Sequence, residues 1–133
     1  MFTDIELSLI QMEPPEAIGL ISQGKADTAA VFRYSSIPNF LHIGDDLTFH
    51  SLGYDPMRLL VRRSSGIAKR FEETGTSETP IPTSTRFCVA CPIADDFAAR
   101  EVGIVTRAGD HRPALGSLLE ELERTSLKYL SAK

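Results

Sequence analysis

The sequence predicts an α/β fold, and three observations support that class. Residues 5–12 and 26–32 resemble buried strands, because apolar residues alternate or run continuously in both. The residues between them carry the signals of a helix, and the chain from residue 110 onward has the pattern of an amphipathic helix. A strand, a helix and a second strand in this order form a βαβ unit. We therefore expect a mixed, mostly parallel sheet flanked by helices, with a small-molecule site where the second strand ends.

The first helix has recognisable start and stop signals. Pro14 fixes φ at a position where no backbone donor is needed, and Glu16 places negative charge near the positive end of the helix dipole. Leu20 and Ile21 continue an apolar stripe that begins one turn earlier. Gly24 suits the left-handed conformation that ends many helices. The pattern predicts a helix from Pro14 to just before Gly24.

The middle of the chain is less regular. Residues 34–46 contain Ser, Pro, Asn and Gly at turn spacing and are expected to form a loop. Residues 47–63 hold two extended pieces, separated by a glycine and a proline. Residues 64–85 are rich in Ser, Thr, Gly, Pro and Glu, which predicts a flexible, exposed connection. A short helix over residues 66–73 is possible inside it.

The last third of the chain again shows clear patterns of secondary structure. Residues 86–93 and 101–107 are two strand-like runs, which either form a hairpin or lie apart. Leucines spaced at i, i+3, i+4 and i+7 from Leu115 onward predict a terminal helix with one apolar face.

Length and charge restrict the class of protein. A chain of 133 residues fits one domain, and 24% charged residues is ordinary for a globular protein. The net charge of -4 and the absence of a Lys/Arg run argue against binding nucleic acid or an anionic membrane directly. No apolar run approaches the roughly 18 residues of a membrane span. The first residues lack the features of a signal peptide, so a cytoplasmic location is expected.

Metal, cofactor and catalytic motifs are not expected. Cys88 and Cys91 form a CxxC inside a predicted strand, where positions three apart face opposite sides. Two buried thiols are the favoured interpretation, and a redox pair is the alternative. His42, His50 and His111 have no acidic or Cys partner at ligand spacing. Without a nucleophile elbow or a phosphate-binding loop, we expect neither an enzyme nor a cofactor.

Three segments together resemble the effector-binding domain of LysR-type transcriptional regulators. Residues 5–38 match the strand, the helix and the buried strand of that domain, with Gly24 and Asp27 in its Gly-x-x-Asp element. Residues 47–63 are similar to the strand that carries the chain towards the second lobe. Residues 90–122 are similar to the returning strand and final helix. The resemblance covers roughly two thirds of the chain.

The resemblance implies a fold and partners. The family has two lobes like those of a periplasmic solute-binding protein, an effector in the cleft between them, and homodimers. The chain is expected to be a single domain supplying mainly the first lobe, with the second lobe largely missing. DNA would be bound only through a separate winged helix-turn-helix, which this chain does not contain.

The resemblance also directs attention to the end of the second strand. Family effectors are often carboxylates, which suits Arg33 as a charge partner, Phe32 beside it, and Tyr34, Ser35 and Ser36 as donors. Each has a plainer interpretation, because Arg33 can be a solvated charge and the serines can be ordinary turn residues.

Two functions stay open on the sequence. One is effector sensing within a regulator. The other is a truncated interaction module that kept the dimerising surfaces of the family without ligand binding. A separate expectation concerns Asp27, whose carboxylate would satisfy backbone donors after the helix.

Overall fold

A computed structural model describes residues 5–66, 68–69, 88–92 and 99–131, with the backbone alone at 90–92. Besides a helical turn at residues 66 and 68–69, they contain two helices and five strands. In chain order they are α1 (Pro14–Ser22), β1 (Thr28–Tyr34), β2 (Leu47–Pro56), β3 (Arg58–Arg62), β4 (Cys88–Pro92), β5 (Ala99–Arg107) and α2 (Pro113–Ser126). No helix in the described ranges is long and apolar enough to cross a membrane.

The chain divides into two compact units. The first comprises Met1–Asp55 and Arg100–Lys133, and the second comprises Pro56–Ala99. The first contains a three-stranded sheet in the order β1-β5-β2, and the second contains a two-stranded sheet of β3 and β4. A division into compact units does not establish the number of domains, so the single domain expected from the sequence stays a prediction. Most of the predicted connection at 64–85 lies outside the described residues.

Helix α1 begins and ends where the sequence predicts. Pro14 is its first residue, and Gly24 follows it with φ of 72°. The Gly24 N–H donates to the Ile21 carbonyl at 3.1 Å, and the Lys25 N–H donates to the Leu20 carbonyl at 2.9 Å. These two bonds form a Schellman motif, which satisfies carbonyls that the helix leaves unpaired at its end. The motif turns the chain directly into β1.

Strands β1 and β5 are antiparallel over their shared length. The ladder runs from Thr28 opposite Thr106 to Tyr34 opposite Arg100. At one end of the sheet the Ala108 N–H, just after β5, donates to the carbonyl just before β2 at 2.8 Å. At the other end the Tyr54 hydroxyl reaches a carboxylate of β5. The start of β2 is thus next to the end of β5, and the end of β2 is next to the start of β5. These two strands are therefore also antiparallel, and β1 and β2 run in the same direction.

The main core lies between α1 and one face of this sheet. It is a cluster of buried aliphatic residues from four elements: Ile18, Ile21, Val31, Leu47 and Val105. Ile21 and Val105 are fully buried. Burying side chains of this size contributes about 1.5–3 kcal/mol each, so the cluster accounts for the docking of α1 on the sheet.

Helix α2 lies on the opposite face. Ile104 and Thr106 are buried and alternate with Val105 along β5, so they face away from α1. Thr106 lines a cavity together with Leu115 of α2, which is also buried. Near its end α2 is attached to β2, because the Ser126 hydroxyl donates to the Leu52 carbonyl at 3.3 Å. The expected arrangement of helices flanking a sheet is therefore present in the first unit.

The predicted opening strand is wrong. Residues 5–13 form neither a strand nor a helix, and Leu7, Leu9 and Ile10 are 65%, 92% and 66% exposed. Alternating apolar residues are suited to a sheet, but a strand also needs a neighbour to satisfy its backbone groups. No described strand pairs with this segment, so β1 is an edge of the described sheet. The pairings of the described strands are antiparallel, so the expected parallel pairing is not among them.

The two later strand-like runs lie in different sheets. β4 pairs with β3, from Arg58 opposite Pro92 to Arg62 opposite Cys88, whereas β5 pairs with β1. The hairpin alternative is therefore wrong. Cys88 is half-buried, and the side chain of Cys91 lies outside the described set, so the interpretation of the thiols stays a prediction. Of the predicted helix at 66–73, only a helical turn at its start is described.

Candidate functional site

Three aromatic rings meet near the end of β1. Phe32 and Tyr34 have ring centroids 5.7 Å apart, Phe32 stacks on Phe40 at 5.7 Å, and Tyr34 meets Phe40 edge-on at 5.4 Å. The Arg100 guanidinium lies over Phe32 with its carbon 5.0 Å from the ring centroid. We call Phe32, Tyr34 and Phe40 the aromatic cluster. All three residues are half-buried, so the cluster presents a partly open apolar surface.

Arg33 points to the other face of the sheet. Its Nε donates to Glu101 Oε1 at 2.7 Å, and its guanidinium carbon lies 4.0 Å from the centroid of Phe49. The Tyr54 hydroxyl donates to the second oxygen of Glu101 at 3.2 Å. Burial raises the pKa of Glu101, but hydrogen bonds from Arg33, Ser51 and Tyr54 outweigh it, and the pKa is lowered overall. Glu101 is therefore ionised at neutral pH and holds Arg33 in place.

The five predicted site residues do not share one surface. Phe32 and Tyr34 lie on the α2 face and Arg33 on the α1 face, because successive strand residues alternate. Ser35 and Ser36 are exposed in a turn closed by the Ile37 N–H and the Tyr34 carbonyl at 3.2 Å. The side chain of Arg33 is 42% exposed, so a ligand carboxylate can reach the guanidinium but must share it with Glu101.

A second ion pair lies beside the aromatic cluster. Nε and Nη2 of Arg100 both donate to Asp55 Oδ2, at 2.8 and 2.5 Å. Sequence reasoning did not select Arg100, because no motif marks it. Only the register that sets it opposite Tyr34 brings it to the rings.

The opposite end of the sheet carries an ionic cluster. Arg112 Nη2 lies 2.7 Å from both Asp27 Oδ1 and Asp110 Oδ2, and Arg107 Nη2 lies 3.3 Å from Asp27. Nη1 of Arg107 donates to the carbonyl of Ile21, in the last turn of α1, at 3.2 Å and to the carbonyl of Ala26, after the helix, at 2.6 Å. We call Asp27, Arg107, Asp110 and Arg112 the ionic cluster. It connects the turn after α1 to the turn before α2.

This cluster corrects the expectation for Asp27, which binds two guanidinium groups rather than backbone donors. Hydrogen bonds from Arg112 lower the pKa of Asp27 and lower that of Asp110 to about 2. The sequence could not reveal this arrangement, because the four residues are brought together only by the fold. In the described residues, no group of three His, Cys, Asp or Glu side chains could hold a metal ion.

Comparison with known proteins places the fold in a class. No protein-family model matches the sequence, and no curated protein matches it. Solved structures do match, and the fold is that of the effector-binding domains of LysR-type regulators, like a lobe of a periplasmic binding protein.

Two of the matching structures are effector-binding domains of BenM. A BenM variant domain superimposes with a TM-score of 0.70 over 96% of this chain and 83% of the other, at 14% identity. The BenM domain with its effector benzoate gives a TM-score of 0.68 over 96% of this chain and 81% of the other, also at 14% identity. The fold implied by the sequence resemblance is thus confirmed, and it extends over nearly the whole chain.

Proposed function

We propose that this chain is the effector-sensing part of a LysR-type transcriptional regulator, binding a small molecule that carries a carboxylate. The observation that carries the proposal is the fold, which is shared with the BenM effector-binding domain over 96% of the chain. A BenM domain of this fold was solved with its effector benzoate. These neighbours are regulatory domains, which also supports a role other than catalysis.

We place the effector at residues Phe32–Ser36. The half-buried aromatic cluster offers ring faces for an apolar body, and Arg33 offers a charged donor at the next position. Because these groups lie on opposite faces of the β1 edge, a ligand would bind across that edge rather than in a closed pocket. The turn at Ser35 and Ser36 would supply hydroxyl donors.

The same proposal includes partners. We infer that the chain acts in the cytoplasm through a homodimer, and that DNA is bound by a separate winged helix-turn-helix. A net charge of -4 supports leaving DNA contacts to another part of the regulator, because phosphate binding needs clustered cations.

Thermal unfolding with benzoate tests the effector site. A ligand at about 100 times its Kd adds about 2.7 kcal/mol, which raises the Tm of a domain of this size by several degrees. We expect that shift in the unsubstituted chain and a smaller one in Arg33→Ala. Arg124→Ala is the matched control, since Arg124 forms an exposed pair with Glu121 far along α2. An undiminished shift in Arg33→Ala would remove Arg33 from the site.

An interaction module is the second candidate, and one observation favours it. Leu7, Leu9 and Ile10 are exposed in a segment that no described strand covers, next in sequence to α1. Exposed apolar strand-like segments are suited to pairing with another chain. If this function is correct, the Tm rises with protein concentration and benzoate leaves it unchanged. A Tm independent of concentration would exclude this reading.

A further inference from the structure

A cavity of about 470 Å³ opens between the sheet and the start of α2. Its wall includes Thr48 and His50 from β2, Thr106 from β5 and Gly116 from α2. Thr106 lies opposite Thr28, at the far end of the ladder from Tyr34. With about 3.3 Å per strand residue, the cavity is roughly 20 Å from the site proposed above and is independent of it. Its volume is within the range of small-molecule sites.

One wall of the cavity carries buried polar groups. Thr106 is only 4% exposed, and its hydroxyl lies 3.1 Å from His50 Nε2. Thr48 adds a second hydroxyl from the same strand as His50. A hydroxyl and an imidazole that already share one hydrogen bond hold each other in a fixed orientation, which suits them to direct further bonds at a ligand.

The charged groups of the lining favour an anion. Arg112 uses Nε and Nη2 for its bonds to Asp110 and Asp27, and Nη1 makes no bond to any described residue. Asp110 is the one acid in the described lining, and its side chain is 9% exposed because Arg112 and Arg107 hold it. No exposed carboxylate of the lining therefore opposes a negative ligand, while Arg112 and the imidazoles can donate to one.

The other wall is apolar and has free space. Leu115 is 6% exposed and Leu119 is half-buried, and both line the cavity from α2. A Cβ built at Gly116 meets no atom within 4 Å. Gly116 is exposed at the rim of the cavity that it lines, so a larger side chain there can reach over the opening.

We propose that this cavity binds small organic carboxylates with a compact apolar body. The carboxylate is held by Arg112 and by the one donor that the hydrogen-bonded pair of His50 and Thr106 leaves free, and the body lies against Leu115 and Leu119. The regulator then has two separate sites for anionic ligands in its first unit, at opposite ends of the β1–β5 ladder.

Titration of the isotope-labelled chain with benzoate, followed by amide chemical shifts, tests the proposal. We expect saturable shifts at His50, Thr106 and Gly116, and at least tenfold weaker binding of the neutral analogue benzamide. Gly116→Leu should abolish the shifts at His50 and Thr106. Gly19→Leu is the matched control, because Gly19 is also a helical glycine with open space, on α1. Leucine is favoured over glycine in helices, so both variants should fold.

Three outcomes would overturn the site. They are the absence of saturable shifts at these amides, shifts that persist in Gly116→Leu, and equal affinity for benzamide. The amides of Phe32–Ser36 are read in the same spectra, so failure here is distinguishable from failure of the effector site. Shifts confined to Phe32–Ser36 would overturn the cavity site and leave the effector site intact. Shifts confined to His50, Thr106 and Gly116 would overturn the effector site and leave the cavity site intact.

Discussion

Arg33 and Glu101 face each other across the β1–β5 ladder, with Nε of the arginine 2.7 Å from Oε1 of the glutamate. The arginine that the sequence offers to an effector is thus already neutralised by its own sheet. A carboxylate ligand must displace this internal partner or bind beside it. If Arg33 binds the effector, the affinity depends on how firmly Glu101 is held, and Glu101 also accepts a hydrogen bond from Tyr54.

Replacing Glu101 tests this relationship. Glu101→Gln keeps the shape of the side chain but removes the charge that pairs with Arg33, whose side chain is 42% exposed. We expect the free energy of unfolding at pH 7 to fall by about 0.5–1 kcal/mol, because solvent screens the pair on one side. Urea denaturation measures it. If Arg33 holds the effector, the same variant binds benzoate more tightly. Glu121→Gln, in an exposed pair on α2, should leave unfolding unchanged, and an equal loss there would contradict the argument.

Acid should weaken the ionic cluster in a defined range. The pKa of Asp110 is lowered from 3.8 to about 2, chiefly by hydrogen bonds from Arg112. A lowered pKa means that the folded state holds the proton less tightly, so the stability from this group is present above pH 3.8 and is lost as pH falls towards 2. Between about pH 2 and pH 3.8, the free energy of unfolding should change less with pH in Asp110→Asn than in the unsubstituted chain, which denaturation curves recorded at several pH values would measure. Glu120→Gln, exposed on α2, should retain the slope of the unsubstituted chain, and an unchanged slope in Asp110→Asn would contradict the assignment.

Gly103 lies under the ring of Phe49, which leaves no room for a side chain at this position. A Cβ at this position would lie 2.3 Å from the end of the Phe49 ring, and the guanidinium of Arg33 lies on that ring as well. We expect Gly103→Ala to cost about 1–3 kcal/mol through this overlap. Adding Phe49→Leu should recover part of the loss, because the shorter side chain removes the contact. Gly116→Ala, which has open space, serves as the control, and destabilisation there equal to Gly103→Ala would refute the steric cause.

Gly24 is required by the end of α1. Its φ of 72° is in the left-handed region, where a Cβ costs about 1–2 kcal/mol. We therefore expect Gly24→Ala to lower the melting temperature by several degrees. Gly19→Ala, inside the same helix and with open space around it, should raise stability by about 0.5–1 kcal/mol. The prediction fails if the two variants behave alike.

Local signals in the sequence predicted the elements well where the cause is local. Pro14 and Gly24 bound α1 because fixed φ and a left-handed residue act within one turn. The two extended pieces predicted within residues 47–63 became β2 and β3, and the leucine pattern from Leu115 became α2. The opening strand failed because pairing depends on a neighbour that no local pattern supplies. Arg33 was identified as a charged group, but its partner Glu101 is 68 positions away and could not be inferred.

The sequence by itself determined the α/β class, the helices α1 and α2 and the strand-like runs after residue 26, because these depend on periodicity and short-range conformational limits. The resemblance to LysR-type effector-binding domains rested on three segments in that family's order. Only the tertiary structure decided which strands pair, that Arg33 is held by Glu101, and that Asp27, Arg107, Asp110 and Arg112 meet in one cluster. The physical reason is that register and ion pairing join residues distant in the chain. Their geometry is set by how α1 and α2 pack on the two faces of one sheet, and no window of neighbouring residues contains that information.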